Sequence, residues 1–207
     1  MDESVIESIK RWPNVPAVYG WLSLTARGLW RLHPDGQAHR GGGGEPITNP
    51  QILGFINRNY DSDDQGQWFF QNGPQRVYVR LDGAPWIALA DDSQGLITTH
   101  TGRAIEEVSQ LWVDSFGQLF LQTEHGCALM LDRDLPRFIE GWSTEQSVGL
   151  DQWCMDERHT HEHTTSVSDD RSLWRACKVP LPLTRLDDST PLGQELHFVA
   201  NPEPASD

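Results

Sequence analysis

Gly66-Gln67-Trp68-Phe69-Phe70-Gln71-Asn72-Gly73-Pro74-Gln75-Arg76-Val77-Tyr78-Val79-Arg80-Leu81 decides the fold. Aromatic and β-branched residues flank a compact Asn72-Gly73-Pro74 break, the pattern of two strands joined by a tight turn. A third strand is expected over Trp86 to Ala90, after the Asp82-Gly83 turn. Upstream, Thr48-Asn49-Pro50 offers a helix cap followed by proline in the first turn. The helix it starts would turn Ile52, Leu53, Phe55 and Ile56 to the core and end near Asn59-Tyr60. Residues 3–11 read as a short amphipathic helix, and Val18–Leu24 with Leu29–Leu32 as a hairpin.

The same stretch has an echo. Gly66-Gln67-Trp68-Phe69-Phe70-Gln71 recurs as Gly117-Gln118-Leu119-Phe120-Leu121-Gln122. A strand follows each, then Leu-Asp (Leu81-Asp82 and Leu131-Asp132), then Pro85 or Pro136. Shared order at near-equal spacing points to a repeated supersecondary unit. The expectation is an α+β protein of two tandem, related β-rich units with antiparallel sheets. Residues 1–90 form the first, with its amphipathic helix, and 91–142 the second, more β-rich one. Residues 143–207 are expected as linker and C-terminal extension, with a polar loop over Asp156–Arg171 and Leu196–Val199 docking back on the body.

Charge narrows the function. The net charge is −14, which repels duplex nucleic acid and anionic membranes. A few arginines can still hold a small anion in a local pocket, because salt screens the distant field. An acidic N-terminus, no long apolar run and three cysteines without CxxC spacing point to a cytoplasmic protein. HExxH, GxSxG and a dinucleotide fingerprint are absent. The reading is therefore non-enzymatic, with no cofactor.

The densest concentration of recognition chemistry runs from Arg58 to Tyr78. Arg58, Gln71, Asn72, Gln75 and Arg76 could supply polar contacts, and Tyr60, Trp68 and Tyr78 could stack on a planar ligand. The competing reading is that the rings are core and Asn72-Gly73-Pro74-Gln75 is only a turn. Asp61, Asp63 and Gly66 imitate the start of a calcium loop, but Gln65 and Asn72 fill later ligand positions badly, so a turn is preferred. His159, His161 and His163 alternate along the chain and are the best metal candidate. Gly41–Gly44 lacks the lysine of a phosphate loop and reads as slack.

Trp12-Pro13-Asn14-Val15-Pro16, Tyr19-Gly20-Trp21-Leu22, Phe55–Tyr60 and Trp68–Val79 resemble an uncharacterised proteobacterial family of unknown function. The order Arg27-Gly28-Leu29-Trp30, Gly44-Glu45-Pro46-Ile47, Ile52–Ile56 and Ala84-Pro85-Trp86 is similar to a second such family. That second resemblance implies a duplicated core with a pleckstrin-homology-like second half. It also implies a pocket between the halves for a nucleotide-like ligand in signal transduction. The alternatives are a protein–protein adaptor with an aromatic surface patch and a metal-binding protein using the histidine run.

Overall fold

Asn49 starts the central helix as its sequence demands: its side-chain oxygen accepts from the backbone N–H of Gln51 and Ile52, and Pro50 follows. A computed structural model describes residues 1–155 and 164–204, in two compact units. The first is Met1–Pro85 with His197–Asp207, the second Trp86–Leu196. The expected boundary at 90/91 thus moves to 85/86. The strand Trp86–Asp91 pairs with Gly126–Met130 and Leu96–Thr99, and pairing rather than the preceding turn decides its membership.

The first unit holds α1 (Glu3–Arg11), β1 (Val18–Leu24), β2 (Trp30–Leu32), β3 (Glu45–Pro46), α2 (Pro50–Arg58), β4 (Tyr60–Ser62), β5 (Trp68–Asn72) and β6 (Gln75–Leu81). Its sheet runs β3-β2-β1-β6-β5-β4. The sheet is mixed, not antiparallel as expected, because β1 and β6 are parallel neighbours. Between them the chain crosses through α2 and four further strands, β2 to β5, ample length for a parallel pair.

Strand alternation divides the aromatic residues. One face carries Trp30, Tyr60, Trp68 and Phe70. Tyr60 sits 5.1 Å from Trp30 and 5.0 Å from Trp68, and Phe55 of α2 meets Phe70 edge-on at 5.5 Å. Their buried rings make this the hydrophobic side. Ile56 is buried with them, whereas Ile52, expected inside, is 49 % exposed. The other face carries Ser23, Phe69, Gln71, Arg76, Tyr78 and Arg80. The chain end returns here: Val199 N–H donates to Gly66 O at 2.9 Å and Leu81 N–H to Ala200 O at 2.7 Å.

The second unit holds β7 (Trp86–Asp91), β8 (Leu96–Thr99), β9 (Ala104–Ile105), β10 (Val108–Val113), β11 (Leu119–Thr123), β12 (Gly126–Met130), α3 (Leu135–Ile139), β13 (Trp142–Thr144), α4 (Leu150–Met155), β14 (Thr164–Asp169), β15 (Leu181–Arg185) and α5 (Leu192–Glu195). Its sheet order is β13-β14-β15-β10-β11-β12-β7-β8-β9. Within the stretch expected as linker and extension, β14 and β15, with β13 at its start, belong to this sheet. The polar composition of Thr164–Asp169, read as loop, is that of a strand whose Thr and Ser alternate with the buried Val167 and Asp169.

Read backwards from β9, the second sheet begins β9-β8-β7-β12-β11-β10, the order of the whole first sheet with each number raised by six. The parallel neighbours correspond too, β1/β6 with β7/β12. Cross-strand partners keep one offset. Tyr60↔Phe70, Phe69↔Tyr78 and Gln71↔Arg76 become Leu111↔Leu121, Phe120↔Leu129 and Gln122↔Cys127. No described helix is long and apolar enough to cross a membrane.

Candidate functional site

The residues expected to grip a ligand are mostly occupied within the first unit. Tyr60 and Trp68 belong to the core face, and Tyr60 Oη donates to Pro85 O at 3.0 Å. Burial raises the Tyr60 phenol well above its ordinary pKa. As core rings these two are closed to a stacking ligand, a correction that follows from alternation on β5. Gln71 is buried and donates to Gly73 O at 2.9 Å. Tyr78 donates to Asp63 Oδ2 at 2.9 Å and stacks on Tyr19 at 4.5 Å. Gln75 donates to Pro16 O at 3.2 Å. Arg58 grips Asp2 at 3.0 Å, joining the end of α2 to the start of α1, and holds the Asp2 carboxyl below its usual value. Arg76 lies over the Phe69 ring at 4.4 Å. Only Asn72 and Arg76 of the hairpin set are left exposed alongside Arg58.

The calcium-like Asp63 serves the turn. Its Oδ1 accepts from the backbone N–H of Gln65 and Gln67, at 3.0 and 2.9 Å. His159, His161 and His163 lie outside the described residues. Among those described, no group of three metal-ligating side chains is assembled.

A different place brings polar groups together. Between β2 and β3, residues 33–44 form a loop on the first unit. With its neighbours it lines a cavity of about 410 Å³, faced by His33, Pro34, Asp35, Gln37, Arg40, Gly42 and Gly44. Two arginines of the sheet hold the loop down. Arg80 donates to the carbonyls of Ala38 and Gly42, the latter at 3.2 Å, and pairs with Asp82 at 2.8 Å. Arg31 donates to Gly44 O at 3.4 Å. Both stand beside Ser23 in register.

His33 closes the floor, its Nε2 2.9 Å from Ser23 Oγ. Burial and then the Arg80 charge lower its pKa, so the ring is neutral near pH 7. Ser23 has no exposed surface, and Asp35 accepts from Gln37 N–H at 3.1 Å. Trp21 is 43 % exposed, and its ring lies against Gly36, whose neighbours Asp35 and Gln37 line the cavity. Residues 8–60 contain six Lys/Arg and two Asp/Glu in a chain of −14. That local inversion of charge is visible in the sequence.

Fold and site together define a β-rich α+β protein of tandem units, with a polar loop cavity on the first. Residues 1–203 match the DUF2944 family, described as "Protein of unknown function (DUF2946)", and the chain belongs to that family. No curated protein matches. Two solved structures are similar. A DUF1285 family protein from Silicibacter pomeroyi DSS-3 is 18 % identical over 66 % of this chain and 77 % of that one, with a TM-score of 0.44. A DUF1285 family protein from Shewanella baltica OS155 is 14 % identical over 58 % of this chain and 91 % of that one, with a TM-score of 0.41.

Proposed function

We propose that the first unit is a regulatory binding module for a small, polar, planar ligand of nucleotide type, seated in the loop cavity rather than on the hairpin. The observation that carries this reading is the convergence of Arg40, His33, Gln37 and loop backbone around about 410 Å³, with the exposed Trp21 ring at the Asp35–Gln37 side. Ligand cavities commonly measure roughly 300–1,000 Å³ and combine a ring surface with a few polar groups. Trp21 supplies a face for stacking and Arg40 a fork for an anion. A neutral His33 accepts or donates one hydrogen bond without adding charge.

A thermal-shift screen against nucleotides tests the reading. A ligand at 100 times its dissociation constant stabilises the fold by about 2.7 kcal/mol. Trp21→Ala and Arg40→Ala should melt as the parent does without ligand and lose the ligand shift. Silence across the panel, or an undiminished shift in both variants, would overturn it. The second reading is a protein adaptor. It draws on Trp12, Trp21, Leu29 and Leu32, all large and exposed in the first unit. It expects a partner whose capture fails in Trp12→Ser/Leu29→Ser and no response to small molecules.

A further inference from the structure

We infer that Gly41–Gly44 is the phosphate-contacting part of this cavity, and that the ligand is a phosphomonoester. The inference rests on the loop-cavity reading and adds the chemistry of one end of the ligand.

Two of the four glycines are explained by the backbone. Gly41 has φ +79° and Gly44 φ +62°, the left-handed region that side chains avoid, and a Cβ on Gly44 would lie 2.8 Å from the His33 ring. Gly42 and Gly43 have no such reason. Neither is left-handed, and a Cβ built on either meets nothing within 4 Å. Glycine there costs conformational entropy relative to alanine. What a missing Cβ does provide is close approach to the main chain.

Gly42 and Gly44 line the cavity, and Gly43 lies between them in the exposed loop. Arg80 takes the carbonyl of Gly42 toward the sheet. In a trans peptide the N–H points opposite to its carbonyl, so the Gly43 N–H is directed away from Arg80. Among the described residues the N–H groups of Gly42 and Gly43 have no acceptor, whereas Gly41 N–H donates to Ala38 O at 3.0 Å. A phosphoryl group is the ligand that such donors suit, since it offers several charged oxygens to backbone N–H groups and a nearby arginine. Arg40 lines the same cavity. Asp35 lines it too, and its carboxylate repels a phosphate from the Trp21 side. The two ends are thus distinguished: phosphate toward Gly42–Gly43, ring system toward Trp21.

Calorimetric titration of the full chain tests this with nucleoside monophosphates, the matching nucleosides and inorganic phosphate. The expectation is that at least one monophosphate binds tenfold or more tightly than its nucleoside. Gly42→Ala/Gly43→Ala should melt no lower than the parent, keep the nucleoside affinity and lose most of that tenfold preference. Nucleosides that bind as well as their monophosphates would overturn the phosphate assignment alone, as would a double variant with its preference intact. Inorganic phosphate binding as tightly as any monophosphate would overturn the monoester assignment. If neither nucleosides nor monophosphates bind, the nucleotide-type reading of the cavity fails with it.

Discussion

The two units share a six-strand sheet and differ in what connects its strands. From β2 to β3 the first unit spends residues 33–44, and from β8 to β9 the second spends only 100–103. In the second, Thr99 N–H donates to Arg103 O at 2.8 Å and closes a tight turn. In the first, the same connection carries the cavity. His33 and His100 hold equivalent positions, the first residue after β2 and β8. Each donates its backbone N–H to the facing strand, to Trp21 O at 2.9 Å and Ile87 O at 2.8 Å. One histidine is a cavity wall bonded to Ser23, and the other a half-buried residue whose Nδ1 accepts from Ile87 N–H at 3.3 Å. The frame carries the fold, and the longer connection of the first unit lines the cavity. Equal strand order, equal parallel pair and equal register are what duplication of one fragment would leave.

The largest expected difference is acid sensitivity. Burial lowers His100 from 6.5 to about 3, so the folded state prefers the neutral ring. Its contribution is complete above the unfolded value near 6.5 and is lost as pH falls toward about 3. At 1.36 kcal/mol per pH unit the loss approaches about 5 kcal/mol. His33 is shifted the same way, by burial and by Arg80. Denaturant melts between pH 7 and pH 4 should show His100→Gln flattening the profile more than His33→Gln. Equal flattening would erase the contrast between the two histidines.

Next come the matching turns. Asp114 Oδ1 accepts from Phe116 and Gln118 N–H at 3.0 and 2.7 Å, as Asp63 does from Gln65 and Gln67. Asp63 alone uses its second oxygen on Tyr78 and on the Gln67 side chain. Asp63→Ala should cost about 2–3 kcal/mol and Asp114→Ala about 1–2, measured by urea unfolding. A larger cost for Asp114 would contradict the equivalence as drawn. Tyr78→Phe removes one hydrogen bond that the second unit lacks, where Leu129 stands, and should cost about 1 kcal/mol. Smallest of all, Gly43→Ala should leave stability within about 1 kcal/mol of the parent or above it. A marked loss would mean that residue 43 serves packing after all.

Much of the fold was legible. The Asn49 cap, the β5–β6 hairpin and the Gly66/Gly117 echo are local signals, and local signals survive into structure. What was missed depends on pairing at a distance. The parallel placement of β1 on β6 leaves no mark in either strand. Thr164–Asp169 looks like a loop because its strand neighbours, not its own apolar content, make it a strand. The hairpin residues divide for a related reason. Tyr60, Trp68 and Tyr78 have the residue types of a binding surface, but alternation assigns two of them to the core, and only tertiary contact reveals that Tyr78 is spent on Asp63. The wider stretch around the loop, by contrast, carries a readable sign: residues 8–60 hold six Lys/Arg against two Asp/Glu.

The most direct test is residue-resolved. Backbone amide resonances should be followed by NMR while a nucleoside monophosphate is added to the full chain. Saturable shifts concentrated at His33–Gly44, with the Trp21 indole moving alongside, are the result expected. Shifts confined to Asn72–Arg76, or none in the first unit at saturating ligand, would contradict the assignment of recognition to the inserted loop.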